Sequence, residues 1–536
     1  MTLDEAAAQS VNANIKMMAR ACSTFAVLHT QHMPPATVIL DPVVAPVAYE
    51  RPQYAADPLA DATMAAVIGP WAALAANASA SELIATHASH WQAIKQANAM
   101  MATWTSNAAI TDWQAPQGMA EDPIALALVA YLHEARTLPD WADHAKIARA
   151  EVLFIEHGAL SCLLLFCASL PECYVVPDLA AVLHVAGQLE QHTDYRIRST
   201  AAMIFPVMMG GGLTDGDGAG VSQTLKVRLI HATIRNLILR ANPRQSVEAL
   251  QGALINNSNA VDVAKLGVVP VLEALSGSTN MHHALFAHGW KTGQDGLPCN
   301  QEELAYTLLT FGYVFLRGLR TLGLGLKAAD EDAFLHAWNV MAHVLGIQYK
   351  LMPQTFSEAK AMFAELQARG LADSTLPDAT DPRPKLGRAL MQTMEDMIPW
   401  RMAKPFPTLF TRYLCSSATA KAIGIDGRVS WFSEMLFVLM MGAIRAIDAT
   451  VRLVFRDFSV SRFITRVVGY QVLTKFLMDQ TRPLKLPSHL LDKVADMMSL
   501  WSYDRKAPKW LNKLEDRLTV QGDWQVAAKR TSASAS

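Results

Sequence analysis

The sequence predicts an all-α protein, built as one large helical domain with helical extensions at both ends. Alanine, leucine and methionine are abundant among the 536 residues, and apolar residues recur at helical spacing along most of the chain. The two-residue alternation that is typical of a β-strand is hard to find. Hydrophobic residues make up 51% of the chain and charged residues 18%, a balance too polar for a protein with many membrane spans.

The first 120 residues are predicted to form an N-terminal helical extension. Residues 1–33 have the pattern of one helix. Six prolines fall within 34–58, which predicts an extended, irregular arm, because proline lacks a backbone donor. Helical periodicity resumes near residue 59 and continues to about residue 112. The extension therefore consists of helices on both sides of a proline-rich arm.

The central part, 121–371, is predicted to be the core domain. Its clearest break is MMGGGLTDGDGAG at 208–220, which predicts a flexible connector. It is not an EF-hand loop, because Lys226 stands where the closing glutamate is required. A second loop covers 289–303, in which the side chain of Asn300 can cap the next helix. Further helices are predicted over 301–326, 330–345 and 355–369.

The remainder is predicted to be a linker at 372–385, a C-terminal helical region at 386–525 and a disordered tail at 526–536. Within the helical region, the segment 452–477 carries five basic residues and a single acid, Asp457, along an apolar stripe. Such a segment suits a core helix with a solvated basic edge. It also suits an interfacial helix on an anionic membrane.

Charge and motifs exclude several classes of protein. The formal net charge is −2, which offers no basic surface to a nucleic acid. The chain has no nucleophile elbow, P-loop or dinucleotide-binding motif. Its six cysteines form no CxxC pair, which predicts buried thiols rather than disulfides or metal ligands. A metal role for His282, His283 and His288 is less favoured than a structural one.

The cellular location is predicted from two absences in the sequence. The N-terminus has no basic region followed by an apolar segment, so no export signal is predicted. No apolar run reaches the roughly 20 residues of a membrane span. We therefore expect a cytoplasmic protein and leave peripheral contact with a membrane open.

The stretch LKVRLIHATIRNLIL, residues 225–239, carries the most informative pattern. Arg228 precedes His231 by three residues and Arg235 follows it by four, so the three share one side of a helix. Two guanidiniums lower the basicity of an imidazole between them and need anions of their own. Haem would satisfy all three, with iron on the imidazole and haem carboxylates on the guanidiniums. The alternative is a helix–helix contact in which acids of neighbouring helices pair with the arginines.

Several segments together resemble the MpaB-type oxygenase family, which includes the latex-clearing rubber oxygenases. The resemblance covers about 125–370, and the segments appear in the family's order. They are HGALSCLLLFCASLPECY (157–174), YRIRSTAAMIFPVMMGGGL (195–213), KVRLIHATIRNLIL (226–239), GLPCNQEELAYTLLTFGYVFLRGLRTLGLGL (296–326) and AFLHAWNVMAHVLGI (333–347).

The resemblance implies a b-type haem held by one histidine in a globin-like helical core. It also implies an enzyme that uses dioxygen to cleave carbon–carbon double bonds in isoprenoid chains. The haem-ligating histidine would be His231, and Arg228 and Arg235 would lie near the haem. Arg196 and Thr200, one helical turn apart, would be hydrogen-bond donors on the distal side, where dioxygen reacts.

One position departs from the family pattern. The rubber oxygenases have a lysine just before that threonine, and this chain has Ser199. Serine is a poor neutral ligand for haem iron, so we expect an open or water-bound distal position. The family's catalytic glutamate is not clearly matched by Glu156, Glu172 or Glu190.

Three functions follow as hypotheses. The first is a haem b-dependent oxygenase acting with dioxygen on a small apolar, unsaturated substrate. The second is a haem-binding sensor or peroxidase-like protein without cleavage activity. The third is a helical interaction protein without a cofactor.

Overall fold

The computed structural model describes residues 52–69, 79–187, 193–240, 268–372 apart from 270, 277 and 279, and 381–454 apart from 397 and 399. Helices dominate these ranges. Their only strands are the short antiparallel pair Val268–Val269 and Trp290–Lys291. The all-α prediction is confirmed. The predictions for 1–33, for most of the proline-rich arm, for 455–525 and for the tail lie outside the described residues.

The first half of the described chain contains ten α-helices and one π-helical turn within its described ranges. They are α1 (Pro58–Ile68), α2 (Ala80–Met101), α3 (Asn107–Thr111), α4 (Pro123–Ala135), α5 (His144–Glu156), α6 (Gly158–Leu164), the π-helical turn Leu165–Ser169, α7 (Leu170–Cys173), α8 (Pro177–Gly187), α9 (Thr193–Met208) and α10 (Gly220–Arg240).

The second half, again within its described ranges, continues with shorter helices around the strand pair and then longer ones. They are α11 (Glu273–Ser276), α12 (Met281–Ala287), α13 (Thr292–Asp295), α14 (Gln301–Phe311), α15 (Tyr313–Thr321), α16 (Ala328–Val344), α17 (Phe356–Ala372), α18 (Arg383–Glu395), α19 (Phe406–Leu414), α20 (Ser417–Ala422) and α21 (Trp431–Val454).

Side-chain caps fix where several of these helices begin. Asn300 caps α14 as predicted, because its side-chain oxygen accepts the backbone N–H of Glu303 at 2.9 Å. Ser79 and Glu82 form a reciprocal capping box at the start of α2. Asp57 caps α1 through the backbone N–H of Ala60, and Pro58 fills the first helical position, where no donor is needed.

One hydrophobic core joins the regions that the sequence separates. Its buried members run from Tyr54 to Ile425 and include residues of α1, α10, α16 and α18. Helix α1 packs directly on α10, although the predicted boundary at residue 120 lies between them. The predicted extension thus contributes to the same core as the central part. The five cysteines of the described residues are free, and four of them are buried.

The glycine-rich connector at 208–220 is ordered, and the prediction of a flexible connector is wrong. The carboxylate of Glu151 accepts the backbone N–H groups of Gly211 and Gly212, both at 3.0 Å. Asn107 donates to the carbonyl of Gly212 at 2.9 Å and accepts the backbone N–H of Val221 at 3.1 Å. Two side chains from distant helices therefore replace the missing regular hydrogen bonds.

A helix that crosses a membrane must be long and almost uninterruptedly apolar. No single helix among them is long and apolar enough to cross a membrane, and one pair bent by 87°, His144–Glu156 with Leu160–Cys173, passes by length and composition.

The ordered turn yields a matched pair of glycine substitutions. A Cβ atom on Gly212 would lie 2.1 Å from the carbonyl oxygen of Pro206, whereas one on Gly210 would meet nothing within 4 Å. We expect Gly212→Ala to lower the free energy of unfolding by at least about 2 kcal/mol, because the backbone must move apart. Gly210→Ala should change it by less than about 0.5 kcal/mol. Denaturant titration of both variants measures the difference, and equal stabilities would contradict a tightly packed turn.

Candidate functional site

Helix α10 carries the arginine–histidine–arginine pattern across the centre of the fold. It packs against α1, α9, α12 and α16. Arg235 is almost fully buried, and Arg228 and His231 are partly buried. The three side chains therefore lie within the packed interior, and each needs a partner there.

Arg228 is held by a carboxylate of the segment that begins α1. Its Nε donates to Oδ2 of Asp57 at 2.6 Å and its Nη2 donates to Oδ1 at 2.8 Å, a two-point contact. Its Nη1 donates to the carbonyl of Val344 at 3.2 Å. All three guanidinium nitrogens of Arg228 thus have a partner within the chain.

Arg235 is held in the same way one turn further along α1. Its Nε donates to both carboxylate oxygens of Asp61, at 3.0 and 3.1 Å. Its Nη1 donates to the carbonyls of Cys299, at 2.6 Å, and Pro298, at 3.2 Å. Burial raises the pKa of Asp61 to about 6, opposed by the charge of Arg235, so the carboxylate remains ionised at neutral pH.

These contacts give the arginines partners other than the predicted haem carboxylates. Asp57 and Asp61 are four residues apart at the start of α1, so both face α10, where Arg228 and Arg235 are seven residues apart. The observed arrangement is the alternative drawn from the sequence, with acids of a neighbouring helix on the arginines. Any role of these arginines toward haem would be to hold α10 in place.

His231, between the two ion pairs, differs from both arginines. Its buried Nδ1 atom has no hydrogen-bond partner among the residues that the structure describes. Burial, and then the positive charge of Arg235, lowers the pKa of His231 to about 4. The imidazole is therefore neutral at physiological pH, which is the form that binds iron. The residue fits the role of a haem ligand, while the arginines do not fit that of partners for haem carboxylates.

The three predicted distal residues lie on α9, the helix that precedes α10. The glycine turn joins the two helices, which pack against each other. Ser199 and Thr200 are partly buried. Arg196 belongs to the same helix, but its side chain lies outside the described part of the chain. The structure therefore brings the predicted proximal and distal residues onto adjacent helices.

Two further residues complete the surroundings of the ion pairs, and the sequence did not single them out. Gly346 has a φ of +88°, and a Cβ there would lie 2.4 Å from Oδ2 of Asp57 and 2.6 Å from Nε of Arg228. Cys299 has a φ of +52°, uncommon for a residue with a side chain, and its carbonyl accepts from Arg235. At both residues the backbone itself lies close to a guanidinium group.

Glu172, one of three candidates for a catalytic glutamate, serves to join helices. Its carboxylate is fully buried and accepts from Arg317 and Gln367, both at 2.6 Å, and from Thr419 at 2.9 Å. These donors come from α15, α17 and α20. Three donors from three different helices meet at this carboxylate, so Glu172 has a structural role in the fold. Glu156 is exposed, and Glu190 lies outside the described residues.

The histidines considered for metal binding lie together near α12 without forming a metal site. Nδ1 of His87 lies 3.0 Å from Nδ1 of His90, and Trp91 stacks with His282 at 6.0 Å between ring centroids. Among the described residues no group of three or more His, Cys, Asp or Glu side chains is arranged to hold a metal ion. A haem held by one histidine needs no such group of side chains, so this finding does not bear on His231.

Part of the chain matches a known protein family. Residues 278–446 match the family described as "ER-bound oxygenase mpaB/B'/Rubber oxygenase, catalytic domain". This segment, about a third of the chain, is therefore similar to the MpaB/Lcp-type catalytic domain. A rubber oxygenase of Streptomyces sp. (strain K30) is 22% identical over 335 residues, or 61% of this chain. These residues span 65% of the rubber oxygenase, less than two thirds of its length.

A solved structure, that of latex clearing protein LCP in the closed state, is also similar to this chain. The TM-score is 0.49 with 18% sequence identity, and the alignment covers 84% of this chain and 92% of the other.

The segment that matches the MpaB/Lcp-type catalytic domain contacts α10 through α12 and α16 but does not contain it. The match begins at residue 278, after His231, Ser199 and Thr200 in the sequence. Nevertheless it supplies the carbonyl of Cys299 to Arg235 and that of Val344 to Arg228. The family segment and the Asp-bearing α1 therefore hold the candidate ligand helix from two sides.

The close approach at Gly346 yields a test of the Asp57–Arg228 pair. Gly346→Ala should lower the free energy of unfolding by about 3 kcal/mol or more, because the new methyl group displaces one member of a buried pair. Gly323 also has a positive φ, +75°, but has nothing within 4 Å of the added atom. Gly323→Ala should therefore cost only the backbone term, about 1 kcal/mol. If both variants lose the same stability, the ion pair does not constrain residue 346.

Proposed function

We propose that this protein is a haem b-dependent oxygenase that uses dioxygen to cleave carbon–carbon double bonds of a small apolar, unsaturated substrate. The observation that carries the proposal is the partnerless imidazole nitrogen of His231, neutral and held between two buried ion pairs. The match of residues 278–446 to the MpaB/Lcp-type catalytic domain supports an oxygenase. The printed activity of its relative, a rubber oxygenase, supports an isoprenoid substrate class.

Haem bound at His231 would supply the iron centre at which dioxygen reacts. The chain's own part begins with the imidazole, which burial keeps neutral and therefore available as a ligand. Asp57 and Asp61 fix the helix on either side of this ring through Arg228 and Arg235. A ligand fixed in advance loses little conformational entropy on binding, which favours a single orientation of the cofactor.

Residues of α9 would act on the dioxygen and substrate side. Thr200 has a hydroxyl donor and Arg196, one turn earlier, has a guanidinium, so both can stabilise negative charge that develops during the reaction. Ser199, in place of the family's lysine, leaves no strong nitrogen ligand at this position. Serine, a poor neutral ligand, would therefore not compete with dioxygen for the iron of a bound haem.

A haem sensor or peroxidase-like protein remains the second candidate, because the same His231 would serve it. A cofactor-free interaction protein is less favoured, since the match of residues 278–446 to an oxygenase catalytic domain supports an enzyme. An absorption spectrum of the protein expressed with a haem supply separates the third function from the other two. Carbonyl products from an isoprenoid polyene, formed under dioxygen and absent under argon, separate the first from the second.

Replacement of His231 tests the assignment of the ligand. We expect His231→Gly to purify without stoichiometric haem and to regain a haem Soret band when imidazole is added, because the small molecule fills the space of the lost ring. Absorption spectroscopy and a haem assay measure both effects. Circular dichroism should show helical content close to that of the wild type.

His288 provides a matched control for this test. Burial also lowers the pKa of His288 to about 4, so it too is a partly buried, neutral histidine. His288→Ala should keep full haem content. Wild-type haem content in His231→Gly, or equal loss in both variants, would remove His231 from the proposal.

A further inference from the structure

We infer that the exposed apolar face of α21 is a docking surface for an anionic lipid membrane. This face, named here the α21 face, is made of large apolar side chains that point to solvent from one side of the helix. Its members are Trp431, Phe432, Met435, Val438 and Leu439, of which Trp431 is 71% and Val438 61% exposed.

The residues of the α21 face are contiguous on the helix surface. At about 100° per residue, they occupy an arc of about 120°, and Gly442 and Ala446 extend the same arc. No charged residue falls inside this arc, and Glu434 and Arg445 lie at its edge. The opposite side of α21, with Ser433 and Phe437, is buried against the rest of the molecule.

Exposure of this kind is unusual for a surface in contact with water only. Scattered apolar residues are normal on protein surfaces, but a continuous apolar stripe marks a binding surface. Trp400 and Met402, in the turn before α19, are also strongly exposed, at 75% and 56%. This turn leads into α19, which lies beside α21: the ring centroids of Phe406 in α19 and Phe437 in α21 are 5.6 Å apart. Exposed tryptophans are the aromatic residues that favour the interface of a bilayer.

The charges around the α21 face favour an anionic surface over a neutral one. Between residues 400 and 446 the sequence has six basic residues and two acidic ones, although the whole chain has a net charge of −2. Arg401 and Arg428 are exposed. The sequence that follows, 452–477, adds five basic residues and one acid. Basic residues near an anionic lipid surface each strengthen binding by roughly fivefold.

The test is flotation of the full-length protein with vesicles of phosphatidylcholine, with and without phosphatidylserine. We expect binding to the anionic vesicles and little binding to the neutral ones. The double variant Val438→Glu/Leu439→Glu should lose most of this binding, at least tenfold, because it places two charges at the centre of the apolar face. Arg401→Gln/Arg428→Gln should weaken it by roughly 25-fold through the loss of two charges, each worth about fivefold.

The control is Val268→Glu/Val271→Glu, which adds the same charges at residues that are 65% and 58% exposed elsewhere on the molecule. It should bind anionic vesicles as the wild type does. Equal loss in this control, or equal binding to neutral and anionic vesicles, would overturn the inference. So would a dimer in light scattering that Val438→Glu/Leu439→Glu dissociates without any vesicle binding by the wild type, since a second copy would then cover the face.

Discussion

The buried pairing of two aspartates with two arginines is the interaction on which the rest of this structure depends. Moving a carboxylate and a guanidinium out of water costs several kcal/mol for each ion, and only close, multiply hydrogen-bonded geometry repays it. Both pairs are multiply hydrogen-bonded, and backbone carbonyls accept from Nη1 of each arginine. The result is a long helix, α10, fixed in rotation and position at two points, with His231 about one turn from each of them.

The two ion pairs also constrain the residues next to them. Gly346 has no side chain because the Asp57–Arg228 pair occupies the space, and the ordered glycine turn lets α9 return against α10. The segment 278–446, which matches the MpaB/Lcp-type catalytic domain, supplies backbone carbonyls to both arginines of α10. Residues from the N-terminal part of the chain are thus as necessary to the candidate site as those of the matched segment.

Local signals in the sequence predicted much of this fold, but they could not predict which residues pair over long distances in the chain. Helix α14 starts where Asn300 predicted, because a cap acts on amides two or three residues away. The Arg228–His231–Arg235 pattern was visible for the same reason. Its partners were not, since Asp57 and Asp61 lie more than 170 residues earlier and look like an ordinary helix start. The glycine turn was misread because its order comes from Glu151 and Asn107 on other helices.

A double-mutant cycle on Asp61 and Arg235 tests most directly whether the buried pairs hold the site together. The free energies of unfolding of Asp61→Asn, Arg235→Gln and the double variant give the coupling between the two side chains. We predict a coupling of about 2 kcal/mol or more, because each single change leaves its buried partner without a counter-charge. The exposed pair Glu365–Arg369 serves as a control, with an expected coupling of about 0.5 kcal/mol or less. A coupling for Asp61–Arg235 no larger than that of the control would contradict the account.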